Sequence, residues 1–195
     1  MKLILIRHAA CAGMSERRFG APMINDGLSE SGRKLLLDRK SRGVYPHADL
    51  LYVSPMRGCV ETGHLLYPML VPVTLSSLME RDYGIFQGKT YEELNSDPAY
   101  RRWIESGRLS APPGGESHQE FVQRIHGAVL RLAQDAQSRN ILTAAVVTHS
   151  SSILEMLRQF YNPQLDETDV HLGEGGGYVA QLEPQSLHLS KIQPI

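Results

Sequence analysis

Two histidines stand just past the ends of two strongly apolar runs. Leu3-Ile4-Leu5-Ile6 leads through Arg7 to His8, and Ala144-Ala145-Val146-Val147 leads through Thr148 to His149. Parallel strands buried on both faces read as unbroken apolar runs, and ligands in such sheets collect outside the carboxyl ends of the strands. A third run, Leu50-Leu51-Tyr52-Val53, empties into Ser54-Pro55-Met56-Arg57. Imidazole together with guanidinium suggests a pocket for a phosphate. Imidazole can attack phosphorus and form an adduct that water then hydrolyses. The reaction needs His8 neutral at the attacking nitrogen and cationic groups on the non-bridging oxygens, since phosphoryl transfer depends on positioning and charge stabilisation. A helix opening at Ser150 would aim its free N–H groups at the same anion.

Two other chemistries compete. Eight histidines are enough for a zinc site, but no HExxH or HxH spacing occurs, and Arg7 beside His8 repels a cation. Ser150-Ser151-Ser152 after His149 invites a serine hydrolase reading, yet the chain has no GxSxG elbow.

The elements that must hold these residues follow from pattern and punctuation. Strands are expected at Lys2–Arg7, Leu50–Val53, Val73–Leu78 and Ile141–Val147, with a closing pair at Tyr178–Leu182 and Leu187–Ile192. Ser29 can cap a first helix, and a second starts near Pro55, a residue suited to a first turn. Thr90 with Glu93, and Ser117 with Glu120, have the spacing of capping boxes. Asp97-Pro98 reads as a cap plus first-turn proline for a helix carrying Tyr100, Trp103 and Ile104. Phe121, Ile125, Val129, Leu132 and Ala136 recur with a helical period, as do Ile153, Leu154, Leu157 and Tyr161. Gly13, Gly20, Pro22 and Gly27 mark a loop after the first strand. Strands alternating with helices make one α/β domain, for which 195 residues suffice with room for a modest insertion.

Composition narrows the partners. A net charge of −1 with 21% charged residues gives no global field toward nucleic acid or an anionic membrane, so a phosphate site must be local. No apolar run reaches the length of a membrane span, and Met1-Lys2 leads straight into a strand without a signal-peptide layout. Cys11 and Cys59 make neither a disulfide framework nor a CxxC pair, which predicts reduced thiols in a cytoplasmic protein.

Six motifs in order carry a resemblance: Arg7-His8, Ser54-Pro55-Met56, Glu80-Arg81-Asp82-Tyr83-Gly84, Gln87-Gly88-Lys89-Thr90, Gly114-Gly115-Glu116-Ser117 and Thr148-His149. From residue 2 to about 160 the chain resembles the histidine phosphatase superfamily, in its phosphoglycerate-mutase-like branch, and is most similar to small bacterial phosphatases of the α-ribazole phosphatase type. The resemblance implies a three-layer α/β/α sandwich over residues 1–195, with a mostly parallel sheet. A mainly helical insertion at about 80–117 would form part of the substrate pocket. It implies His8 as nucleophile, Arg7 as adjacent phosphate clamp and His149 as the second pocket histidine. Glu80 becomes the carboxylate that protonates the leaving oxygen and later activates water, which suits an acid of raised pKa.

The chain departs from the family pattern in several places. Ala9 follows the nucleophile where glycine is usual, and Ala10 and Cys11 replace polar residues. Met14 stands where many members have a phosphate-contacting asparagine, and Ser150 and Ser151 stand where glycines are usual. The second clamp arginine falls, by count, on Gly58. Arg57 is one residue early, about 100° around a helix. Glycine permits unusual backbone angles, so Arg57 is expected to reach the phosphate as a substitute. Arg18 is a further candidate contact, and Tyr83, Tyr91, Tyr100, Trp103 and the Gly114–Ser117 loop, with Ser117 itself, are expected in the substrate wall.

The function these residues imply is a metal-independent phosphatase, without cofactor, acting on a small phosphorylated metabolite through phospho-His8. α-Ribazole phosphate and sugar phosphates are the candidate substrates. Two alternatives are a phosphoglycerate-type mutase, disfavoured by the short middle segment, and a catalytically weak phosphate-binding protein, motivated by the displaced arginine and Ala9. Oligomeric state is not read from these residues.

Overall fold

The computed structural model describes residues 1–12, 26–166, 169–170 and 172–195. Among these residues the sheet has six strands in the order β3-β2-β4-β1-β5-β6. They are β1 (Lys2–Arg7), β2 (Leu50–Val53), β3 (Val73–Thr74), β4 (Thr143–Thr148), β5 (Gly177–Leu182) and β6 (Leu189–Pro194). β1, β2, β3 and β4 run parallel, and β5 and β6 are antiparallel additions at one edge.

Register is what creates the site. β1 pairs with β4 so that Arg7 lies opposite Thr148, and β2 pairs with β4 so that Val53 lies opposite Val147. The next residue of each strand is then Ser54, His149 and His8, which leave the sheet side by side. His8 N–H still reaches the Thr148 carbonyl at 3.0 Å, and Ser54 N–H reaches Val147 at 3.0 Å.

The apolar runs are unbroken because both faces are covered. Leu3, Leu5, Tyr52 and Val146 face α5 (His118–Arg139) and α6 (Ser150–Phe160), against Phe121, Ile125, Leu132 and Leu157. Ile4, Ile6, Leu51 and Val147 face α1 (Glu30–Ser41) and α2 (Arg57–Leu66), against Leu36, Cys59 and Leu66. Each such Leu or Ile contributes about 1.5–3 kcal/mol of burial. The result is the expected three-layer α/β sandwich. A separate apolar cluster of Phe86, Leu94, Tyr100 and Trp103 holds α3 (Tyr91–Asn95) and α4 (Pro98–Glu105) together.

Caps behave as their chemistry dictates. Ser29 accepts from Gly32 N–H, Thr90 and Ser117 each close a capping box, and Asp97 caps the helix that Pro98 opens. Four differences from expectation have a local physical cause. The third strand stops at Thr74, because its partner β2 ends at Val53. The chain continues as a 3₁₀ turn over Ser76–Leu78, with Leu78 N–H on the Leu75 carbonyl at 3.0 Å. β4 starts at Thr143 because α5 ends on Asn140 in the left-handed region (φ 53°) and Ile141 N–H turns back to Ala136. Leu187 also takes positive φ, 58°, and delays β6 to Leu189. Tyr161 lies past the end of α6 and is 47% exposed, so it does not continue the apolar stripe.

Candidate active site

His8 and His149 face each other edge to face, with ring centroids 5.0 Å apart at 70°. His8 is buried, and its Nδ1 lies 2.8 Å from the Ala9 carbonyl oxygen. A carbonyl only accepts, so Nδ1 carries the hydrogen and Nε2 keeps the lone pair. Burial holds the His8 pKa below its ordinary value; Arg7 pushes the same way, against the Ala9 bond and Glu174. His8 is therefore a neutral imidazole with Nε2 available.

His149 is the N-cap of α6 and is also buried. Its Nε2 lies 3.0 Å from Ser54 Oγ and 3.6 Å from Cys59 Sγ. Burial first, then His8, Arg124 and Arg7, drive its pKa down to about 3. Its Nδ1 is buried without a hydrogen-bond partner among the described residues. An anion in the pocket would supply the missing charge and the missing partner together. Ser150 opens α6 behind this cap, and the first-turn N–H groups of a helix have no intrahelical acceptor. Arg7 anchors its guanidinium to the Leu172 carbonyl through Nη1 at 2.6 Å.

Glu80 follows the 3₁₀ turn, and that lead-in is tied down from several elements. Thr148 Oγ1 donates to the Leu78 carbonyl at 2.7 Å and Ser152 Oγ to the Met79 carbonyl at 3.1 Å. Arg124 of α5 donates to the carbonyls of Ser77, Met79 and Glu80 and to both oxygens of Glu116. Burial raises the Glu80 carboxyl to about 7, opposed by the Arg81 N–H on Oε1, Arg7 and Arg124. Near neutral pH this acid holds a proton it can give up.

The two glycine-bearing motifs meet behind Glu80. Gly84 has φ +53°, and a Cβ there would lie 2.1 Å from the Pro113 carbonyl oxygen; one on Gly115 would lie 2.5 Å from that of Asp82. Only bare backbone fits. Ile85 N–H and Glu116 N–H then bridge the two segments at 3.0 and 2.9 Å, and Glu116 Oε1 accepts from Asp82 N–H at 2.9 Å.

α2 presents its second residue, not its first, to His8. A Cβ on Gly58 would sit 3.6 Å from His8 Nδ1 and 2.3 Å from Cys11 Sγ. Cys11 thus fills the space a side chain at 58 would enter, and its own Sγ lies 3.7 Å from His8 Nδ1. Burial and the carboxylates of Asp26, Glu61 and Glu174 push the Cys11 thiol up to about 11, so it stays protonated. Arg57, expected at the phosphate, is 61% exposed and pairs with Glu61 through Nε at 2.8 Å. Thr62 joins α2 to the nucleophile loop, accepting from Ala9 N–H at 3.4 Å and donating to the Gly58 carbonyl at 2.7 Å.

The remaining candidates have local partners. Tyr83 is half-buried, edge-on to Trp103 at 6.1 Å and under the Arg81 guanidinium at 5.6 Å. Ser117 uses its hydroxyl within the α5 capping box. Arg18, like Gly13, Met14, Gly20 and Pro22, lies outside the described residues. Among the described residues no group of three or more His, Cys, Asp or Glu side chains is placed to hold a metal ion, and no helix is long and apolar enough to cross a membrane.

Sequence reasoning missed Arg124 and the bond from Ser54 to His149. Arg124 had a visible signal, because it falls three residues after Phe121 and four before Ala128, both buried on α5. A charge inside an apolar stripe needs partners.

Comparison with known proteins identifies the family and the fold. The family model of the histidine phosphatase superfamily, branch 1, matches residues 3–193. Phosphoserine phosphatase 1 of Hydrogenobacter thermophilus is 28% identical over 157 residues, covering 77% of this chain and 71% of that protein. The α-ribazole phosphatase of Shigella flexneri superposes with a TM-score of 0.82 at 19% identity, covering 97% of this chain and 95% of that one. A phosphoglycerate mutase of Thermus thermophilus superposes with a TM-score of 0.71 at 21% identity, over 100% and 99% of the two chains. These structural likenesses establish the fold. With the family model spanning nearly its whole length, the chain belongs to the histidine phosphatase superfamily, branch 1.

Proposed function

We propose that this protein is a metal-independent phosphatase that hydrolyses a small phosphomonoester through a phosphohistidine on His8. The observation that carries the reading is the buried His8–Ala9 bond, which leaves a neutral Nε2 beside His149. In the first step His8 Nε2 attacks phosphorus while the bond to the leaving oxygen breaks. That oxygen keeps the electron pair and takes the proton from Glu80. Arg7 and the N-terminus of α6 face the charge on the non-bridging oxygens, and His149 gains its missing partner. In the second step Glu80, now ionised, takes a proton from water. The hydroxide oxygen bonds to phosphorus, the P–N bond breaks, and its electron pair returns to Nε2. Inorganic phosphate leaves and Glu80 is protonated again.

Glu80 supports hydrolysis because its carboxyl, near 7, can serve as acid and then as base around neutral pH. The segment from about 80 to 117 forms part of the substrate wall, with half-buried Tyr83 as its aromatic face; Tyr100 and Trp103, expected there too, are buried in the cluster with Phe86 and Leu94. The substrate is a small phosphorylated metabolite of the kind named in the relatives, an amino-acid phosphate or α-ribazole phosphate. Gly58 at the second clamp position, with Arg57 paired to Glu61 instead, favours a second reading, a phosphate binder of weak activity. The test is phosphate release from an aryl phosphate in excess EDTA by the wild-type protein and His8→Ala. Release that survives chelation and vanishes in the variant is expected. Equal release by both proteins, or none from a folded wild type that still binds phosphate, refutes the hydrolytic reading; the latter result selects the binder.

A further inference from the structure

Arg124 lies on α5 and reaches the segment that carries Glu80. Its side chain is only 23% exposed, and its five N–H groups all have acceptors. Nη1 donates to the carbonyls of Ser77 and Met79 at 3.0 and 2.8 Å. Nη2 donates to the Glu80 carbonyl at 3.2 Å and to Glu116 Oε1, and Nε donates to Glu116 Oε2 at 3.1 Å. Three of these acceptors are carbonyls of the four-residue stretch ending in Glu80. The other two are the carboxylate whose Oε1 also accepts from Asp82 N–H. The chain is thus fastened at 77, 79, 80 and 82, on both sides of the acid, by one guanidinium and its counterion.

We infer that Arg124 is the positioning residue of the proton donor: with Glu116 it fixes the backbone that aims the Glu80 carboxyl at the leaving oxygen. The inference rests on Glu80 having the acid role proposed above. Fork geometry is essential, since a lysine would offer three donors from a single atom and cannot span carbonyls and carboxylate together. All its hydrogen bonds go to the Ser77–Glu80 backbone and to Glu116, so its positioning effect is exerted through Glu80. Its charge also reaches Glu80 and His149, lowering the pKa of both.

The measurement that separates positioning from simple structural support is leaving-group dependence. Dinitrophenolate departs without a proton, whereas phenolate needs one, so only the second substrate feels a misaimed acid. Wild type, Arg124→Met, Arg124→Lys and Glu116→Gln are assayed for kcat/KM on phenyl phosphate and 2,4-dinitrophenyl phosphate, with melting temperatures alongside. Positioning predicts a loss of about 100-fold for Arg124→Met on phenyl phosphate and at most about threefold on the dinitrophenyl ester, in keeping with the usual size of general-acid catalysis. Arg124→Lys and Glu116→Gln show the same asymmetry at smaller size, and carry the test if Arg124→Met does not fold. Equal losses on both substrates, or none on either, overturn the inference. Absence of His8-dependent release in the wild type would instead refute the reaction itself.

Discussion

A side chain at residue 58 and the Cys11 thiol cannot occupy their present positions together, and this exclusion has measurable consequences for stability and rate. A Cβ on Gly58 lies 2.3 Å from Cys11 Sγ, far inside contact distance, so Gly58→Ala must push the thiol away. Overpacking of this kind costs about 1–3 kcal/mol. Alanine in a helix returns about 0.5–1 kcal/mol relative to glycine. The net expectation for the single variant is a loss of about 1 kcal/mol. In a Cys11→Ala background the obstruction is gone, and the next contact, His8 Nδ1 at 3.6 Å, is ordinary. There Gly58→Ala should stabilise by about 0.5–1 kcal/mol, giving a coupling of about 1–2 kcal/mol. Urea denaturation of the four proteins in this double-mutant cycle reads it directly. Arginine extends the effect to catalysis. Gly58→Arg with Cys11→Ala places a guanidinium on the helix residue that faces His8, where a charge-assisted contact in the transition state is worth about 2.7–4 kcal/mol. Turnover of p-nitrophenyl phosphate should rise about 100-fold or more over Cys11→Ala alone. Additive stabilities across the cycle would show that Cys11 does not fill this space. A folded double variant with unchanged turnover would show that Arg57 or another cation already holds the phosphate.

Other consequences concern titration and the histidine pair. Glu80→Gln should depress kcat/KM on phenyl phosphate by about 100-fold or more while leaving 2,4-dinitrophenyl phosphate within a few fold; a uniform loss would remove Glu80 as acid. In the wild type, kcat/KM for phenyl phosphate should fall above a pH of about 7, where Glu80 ionises, and this limb should be absent in Glu80→Gln. The same carboxyl links pH to stability. Its folded pKa is raised, so its contribution is present below the ordinary value of 4.5 and is lost as pH rises toward about 7. Denaturation midpoints should therefore show Glu80→Gln gaining on the wild type between these values, and parallel curves would contradict the raised pKa. Ser54→Ala removes the nearer Nε2 partner of His149 and leaves only the weaker Cys59 thiol, so the buried imidazole should be held less firmly, lowering phosphate affinity in a calorimetric titration; unchanged affinity would show that the Ser54 bond does not orient a phosphate-binding His149.

Local chemistry made some of this architecture legible in the sequence. Ser29, Thr90, Asp97 and Ser117 cap the helices that their spacing announces, because a cap is an interaction within a few residues. The strand ends were equally visible, since burial on both faces leaves an unbroken apolar run. What failed depended on partners distant in the chain. Val73–Leu78 has strand composition, but β2 ends at Val53, whose carbonyl takes the Leu75 N–H as the last bond of the pair. The five donors of Arg124 go to residues 8 to 47 positions away, and no local pattern reveals them. At Gly58, counting along the motif identified the altered position. Only the fold shows that Cys11, from another loop, lies against it.

The proposed hydrolysis rests on a covalent bond between His8 Nε2 and phosphorus. A rapid acid-free quench of the wild-type protein during turnover of a phosphate-labelled aryl phosphate, followed by mapping of the labelled peptide, tests it most directly. The expected result is up to one phosphoryl group per chain, on the peptide containing His8, stable in alkali, released by acid and absent from His8→Ala. Hydrolysis at the wild-type rate with no such group on the chain at any time in the first turnover would contradict it, and would mean that water attacks the substrate directly.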